Sequence, residues 1–277
     1  WPPMLWIGGA PGAGKSTLAW LLSRAADLPL HPVDLWAYDH LARRPPGESL
    51  DEELTRRPQA AADAFSASSR ERLGLVLADV AARDLGPVPA LVEGPQLMPE
   101  LATRLPGGYG VWLLPDPERT RLARHERLAT EEKLADGPTA ARRARTEGLL
   151  RRDAILADRV RLAAADAGRP VIEVSAAPDW PAIAASIKAV LGEALHAAPR
   201  LDPGPALSAQ RRRENAVAVR QGRLWAAAAG LAALPSYPFA CECGTSGCRA
   251  VWPVPPDEYQ SRAAGQALDL HGGPVIR

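Results

Sequence analysis

The 277-residue chain, 47% hydrophobic and 23% charged, has enough apolar content for one large α/β domain of about 200 residues plus a small appendage. Its formal net charge of +1, from 33 basic and 32 acidic residues, lacks the electrostatic footprint of a nucleic-acid binder. No apolar run reaches the ~18 residues of a membrane span, and a first strand at about residue 4 leaves no room for a secretory leader, so a cytoplasmic protein with no membrane partner is expected.

The first predicted elements are a strand at "MLWI" and a helix at "STLAWLLSRAA", with glycines between them. Gly9, Gly14, Lys15 and Ser16 fit G-x-x-x-x-G-K-[ST], the pattern of a loop that cradles nucleotide phosphates. Gly12 and Gly14 let the backbone wrap so that N–H groups converge on an anion, and the helix opening at Lys15 adds its positive end. The nucleotide-binding set is therefore Gly9, Ala10, Pro11, Gly12, Ala13, Gly14, Lys15, Ser16 and Thr17. Lys15 suits the β- and γ-phosphates, and the Ser16 hydroxyl suits a magnesium ion bridging them. The chain has only three lysines (Lys15, Lys133, Lys188) among its 33 basic residues, which argues against an incidental lysine in this slot.

Further strands are predicted in "LPLHPVD", "PALVEG", "GVWLLPD" and "PVIEVSA", separated by helical patterns. This alternation predicts an α/β fold, a parallel sheet with helices on both faces and ligands at the carboxyl ends of the strands. Those ends carry the phosphate loop, Asp34, Glu93, Asp116 and Ser175. Asp34 has two readings, a group facing substrate or the N-cap of a helix "LWAYDHLARR"; Asp39 and His40 read first as a solvated helix face.

"WPAIAASIKAVLGEAL" reads as the last helix of this domain, residues 1–195. A Pro-rich linker over 196–207 follows, then a unit over 208–277 that opens with one helix, 208–234, capped by Ser208 and ending in a buried "LWAAAAGLAAL". The "RRRE" at 211–214 reads as a wet helix face. Cys241, Cys243 and Cys248 fall within eight residues, with Gly244 and Gly247 between them and His271 beyond. Three thiolates and an imidazole suit a tetrahedral structural zinc site, which a unit with so thin a core could use; a redox pair and unliganded cysteines are the alternatives.

Over roughly residues 3–195 the chain resembles the small-molecule and nucleoside/nucleotide kinase branch of the phosphate-loop proteins. The likeness rests on the loop, on the acids at the strand ends, and on the arginine-rich helical stretch 118–160 before the last strand. It implies ATP and Mg2+ as cofactors and an acid after the second strand, Asp34, beside the acceptor hydroxyl. Glu93 would hold magnesium through water or position the acceptor, and 118–160 would form a lid turning at "ADGPT". Of Arg124, Arg127, Arg142, Arg145, Arg151 and Arg152, the pair Arg145 and Arg152 share a helix face and are the expected lid cations. Adenylate kinases carry D-G-x-P-R where this chain has "EGPQL", and the acceptor-reading arginines of shikimate and gluconate kinases find no match, so the acceptor stays open. "FACECGTSGC" with "PPDEYQSR" resembles a small module appended to varied bacterial proteins. The function expected is ATP-dependent transfer to a small-molecule hydroxyl; the alternative is a nucleotide-gated regulatory ATPase whose cysteine module recognises a partner.

Overall fold

The computed structural model describes residues 3–43, 57–104, 109–135, 139–263 and 267–271. Five strands, β1 (Met4–Gly9), β2 (Leu30–Pro32), β3 (Ala90–Glu93), β4 (Tyr109–Pro115) and β5 (Val171–Val174), form one parallel sheet in the order β2-β3-β1-β4-β5. All five fall on the predicted apolar runs, β1 running on to Gly9 and β4 starting one residue earlier, at Tyr109. β1 is central and pairs on both sides, with Ile7 opposite Glu93 of β3 and Gly9 opposite Leu113 of β4.

Because side chains alternate along a strand, each central strand feeds two cores. A short helix, α2 (Ala37–Ala42), follows β2. Met4, Trp6, Val92, Trp112 and Leu114 pack on one face against α3 (Pro58–Ala81) and α5 (Ala140–Asp166). Leu5, Ile7, Leu91, Val111 and Leu113 pack on the other against α1 (Lys15–Ala25) and α6 (Trp180–His196). The result is a three-layer α/β phosphate-loop fold. Asp116 and Pro117 start α4 (Pro117–Leu134), and Asp179 caps α6 by accepting from the Ala182 N–H at 3.0 Å. α4 and α5 form the helical pair expected for 118–160; most of its turn, residues 136–138, lies outside the described residues. No described helix is long and apolar enough to cross a membrane.

The second unit begins earlier than expected. Its helix α7 (Pro205–Ala228) opens on Gly204, at φ 92°, followed by Pro205, so Ser208 lies inside the first turn and is no cap. The helix also stops at Ala228, with Gly230 left-handed at φ 60°, and Leu224 is exposed, so "LWAAAAGLAAL" is not one buried helix. A hairpin of β6 (Tyr237–Ala240) and β7 (Val251–Val254) and the short α8 (Pro256–Arg262) complete the unit. Its core holds Val219, Phe239, Cys241, Val254, Tyr259, Leu268 and Leu270.

"RRRE" is only in part a wet face: Arg212 and Arg213 are exposed, but Arg211 is buried and Glu214 largely covered where α7 crosses the sheet edge. Arg211 donates to Ser23 Oγ and Leu28 O at 3.1 Å, and Glu214 pairs with Arg24 at 2.8 Å. Glu214 Oε1 also accepts the Leu30 N–H at 2.9 Å, covering the open side of edge strand β2. Burial would raise the Glu214 carboxyl, but Arg24, Arg211, Gln210 and the Leu30 N–H outweigh it and hold its pKa at about 2. A carboxyl depressed from its ordinary 4.5 contributes stability above that pH and loses it as pH falls through the folded value. Chemical denaturation should show stability dropping by about 3 kcal/mol between pH 4.5 and 2, and Glu214→Gln should lose a similar amount at pH 7 and flatten this limb.

Candidate functional site

The site lies at the carboxyl ends of β1, β2 and β3. After β1 the chain wraps through Gly12 (φ 85°) and Gly14 (φ 75°) into α1, whose first turn has no side-chain cap and no acid. α4, α5 and α6 are each closed by a residue of their own, Asp116, Thr139 and Asp179. The first N–H groups of α1 are therefore left for an anion, as a phosphate loop requires. Lys15 is 6% exposed and donates to Ala10 O at 2.8 Å, while Ser16, Thr17 and Asp34 face solvent above it.

The direct pairing of β3 with β1 sets Glu93, 1% exposed, beside the loop, where the Ser16 hydroxyl hydrogen-bonds it. Its Oε2 has no hydrogen-bond partner among the described residues. Burial first, then the charge of Asp34, push the Glu93 carboxyl above the usual range, against the pull of Lys15 and Ser16. Burial likewise lowers Lys15, against the attraction of Glu93, Asp34 and Asp153. A buried carboxyl and a buried ammonium thus face each other with both charged forms disfavoured by desolvation, and a bound polyanion with its cation would restore both.

Asp34 is not a helix N-cap. It sits within a 3₁₀ turn, Val33–Trp36, whose N-cap is Pro32, and its Oδ1 accepts from Gln96 Nε2 at 2.7 Å. Gln96 comes from the "EGPQL" segment and went unnoticed in the sequence because its partner lies 62 residues away. His40 departs from expectation too: it is buried, with Nε2 2.8 Å from Asp79 and Nδ1 accepting from Arg72, while Asp39 pairs with Arg220 of α7. Asp116 is spent on its helix cap, and Ser175 Oγ donates to Ala177 O.

Among the helical-pair arginines, Arg124 is the one whose charge reaches Lys15, and Arg127, open to solvent, interacts with Arg124 and Asp34. Arg124 is anchored by Asp153, a buried carboxylate on α5, at 2.5 Å. The expected pair lies otherwise: Arg145 faces Glu131 at 3.9 Å, and Arg152 is bound to Asp153 at 2.8 Å and lies over the Phe65 ring.

A second constellation lies in the C-terminal unit. The sulfurs of Cys241, Cys243 and Cys248 are within 4.8 Å of one another, and Cys243 Sγ is equally close to a carboxylate oxygen of Asp269 and a ring nitrogen of His271. His271 thus reaches Cys243, together with the unforeseen Asp269, but does not join Cys241 and Cys248 in one group of four. The Leu270 N–H donates to Cys241 Sγ at 3.2 Å and the Thr245 N–H to Cys243 Sγ at 3.4 Å, bonds that favour thiolate. Burial raises the Cys241 and Cys248 thiols; at Cys243 it is outweighed by hydrogen bonds from Thr245 and the neighbouring cysteines. The "CECG…EY" signature also acquires a structural meaning. Glu242, 1% exposed, accepts from Tyr259 Oη at 2.5 Å, Asn215 Nδ2 at 2.8 Å and the Leu268 N–H at 2.9 Å, joining hairpin, α7 and α8.

No family model and no curated protein matches the chain. Among solved structures it is similar to a gluconokinase from Sinorhizobium meliloti 1021, at 16% identity and TM-score 0.41, over 71% of this chain and 95% of that one. It is also similar to a sulfotransferase from Alicyclobacillus acidocaldarius, at 16% identity and TM-score 0.43, over 83% of this chain and 97% of that one.

The loop tolerates no added carbon at its start. A Cβ at Gly9, where φ is 116°, would lie 2.1 Å from Leu113 O, a backbone atom of the neighbouring central strand. Gly9→Ala should cost about 3 kcal/mol or more in denaturant unfolding.

Proposed function

We propose that the protein is an ATP-dependent phosphotransferase acting on a hydroxyl of a small-molecule acceptor. The observation that carries this reading is the convergence of Lys15, Ser16, Glu93 and Asp34 at the ends of three adjacent strands. Lys15 and the N–H groups opening α1 would hold the β- and γ-phosphates. Ser16 and Glu93 would hold magnesium, and the unpartnered Glu93 Oε2 fits that task. The ion, when bound, supplies charge neutralisation on the transferring group. Asp34, exposed and fixed by Gln96, would orient the acceptor hydroxyl and accept its proton. The charge of Arg124 acts on Lys15 and that of Arg127 on Asp34, whereas Arg145 and Arg152 would act only after leaving Glu131 and Asp153.

A metabolite screen monitoring ADP release tests the reading. One acceptor should raise turnover well above background, and Lys15→Ala should reduce it by about 100-fold or more. Magnesium should tighten ATP binding to the wild type and fail to do so in Glu93→Gln. ATP binding without any productive acceptor would leave a regulatory ATPase in its place.

The C-terminal unit is read as one structural zinc site of Cys241, Cys243, Cys248 and His271. A tetrahedral zinc with bonds of about 2.3 Å spaces its sulfurs by about 3.8 Å, compatible with a cluster gathered within 4.8 Å. Elemental analysis should find about one zinc per chain. Cys243→Ser should release it and speed amide exchange in the β6–β7 hairpin without affecting ATP binding.

A further inference from the structure

Where α7 and β6 lie along the sheet edge, they leave a narrow cleft, open to solvent, with free space for little more than a water molecule. Its walls include Trp20 and Arg24 of α1, Trp36 of the 3₁₀ turn, Arg83, Arg213 of α7 and Tyr237 of β6. It is separate from the phosphate loop. Lys15 and Arg24 are nine residues apart on one helix, about 13 Å along its axis.

The charge of the cleft is unbalanced. Its one carboxylate, Glu214, is already engaged, Oε1 by the Leu30 N–H and Gln210 and Oε2 by Arg24. Against it stand Arg24, Arg83 and Arg213, with Arg211 behind Glu214 and Arg220 over the Trp36 ring at 5.2 Å. Asp79, the other acid that acts on Arg83, is committed to His40 and Arg43. Donors are in surplus as well. Arg24 Nε and Nη1, Arg83 Nε and Trp36 Nε1 are shielded from water and have no hydrogen-bond partner among the described residues. Arg24 is itself only 3% exposed. A buried donor left without an acceptor is unfavourable, most of all on a cation, and an anionic acceptor removes the deficit.

We propose that this cleft binds the oxyanion group of a small organic molecule, a phosphate monoester or a carboxylate, with Arg24, Arg83, Arg213 and Trp36 as its donors. The Trp20, Trp36 and Tyr237 rings form the apolar wall for the remainder of the ligand. Entry requires the Trp36 ring to move aside and widen the cleft, since the donor atoms are shielded in the closed form. The proposal goes beyond the phosphotransfer reading and stands without it.

The full-length protein is titrated with inorganic phosphate, and separately with acetate, by calorimetry and by 31P line broadening. The wild type, Lys15→Ala, Trp36→Phe and Arg213→Gln are compared. Trp36→Phe keeps a smaller aromatic ring and drops the N–H; Trp36 is only half-buried and Arg213 exposed, so neither change empties a core position. A saturable site should persist in Lys15→Ala and weaken about tenfold or more in both other variants, with unchanged unfolding midpoints. Response to phosphate alone assigns a phosphate monoester, and competition by acetate assigns a carboxylate. Binding that disappears in Lys15→Ala and is untouched in the other two variants belongs to the phosphate loop and overturns the proposal, as does no binding of either anion.

Discussion

The parallel pairing of β1 with β3, which sets Ile7 against Glu93, is the constraint on which the candidate site depends. With β3 directly beside the loop-bearing strand, the carboxylate that ends β3 arrives at the first turn of α1 without any intervening element. Lys15 and Glu93 are then buried together, and the site begins with two desolvated groups of opposite sign and a row of unpaired helix N–H groups. Such an arrangement favours a ligand carrying both signs of charge over a simple anion or a simple cation.

The same sheet explains how the C-terminal unit is attached. β2 is an edge strand of only three residues, and its outward N–H at Leu30 is taken up by a side chain, Glu214, instead of another strand. Glu214 would be prohibitively costly there without Arg24 and Arg211, so the attachment of α7 is an ion-paired contact that cannot lose one member cheaply. A second clamp joins the units at Asp27, whose carboxylate accepts from Ser246 Oγ at 2.5 Å and the Gly247 N–H at 3.0 Å, within the cysteine loop. The cysteine loop is thereby held against the end of α1, and Gly244, at φ 72°, is needed because a Cβ there would meet Gly204 O at 2.4 Å.

What could be read from the sequence was what local pattern encodes. The five strands announce themselves as apolar runs ended by polar residues, and the phosphate loop as a spacing of glycines before one of few lysines. Asp34 and Glu93 followed from their positions at strand ends. What could not be read was which polar residues are inside. His40, Asp153, Arg211 and Glu242 look like any solvated residue on a charged helix or loop, and each is buried by partners far along the chain, Ser23 lying 188 residues from Arg211. Abundant arginine compounded this, since no arginine stood out by type. Arg124 is distinguished only by Asp153, whose burial depends on how α4 and α5 pack. The end of α7 was missed because an alanine-rich run satisfies helix propensity on either side of Gly230, although the stop is local: Gly230 turns left-handed and the Leu231 N–H donates back to Ala226 O at 2.9 Å.

The candidate site and the cleft at the sheet edge hang on the same two elements. α1 carries Lys15 and Ser16 at its first turn and Trp20 and Arg24 further along, and the turn Val33–Trp36 carries Asp34 toward the loop and Trp36 toward the cleft. The 3₁₀ turn is fixed on the one side by Gln96 on Asp34 and on the other by the stack of Trp36 between His31 and His40, with ring centroids 5.3 and 6.4 Å apart. Trp36 and Asp34 are therefore two residues apart on one short turn, each held by side-chain partners of its own. The two places are thus neighbours through this one turn, while Lys15 and the cleft arginines are held by different partners.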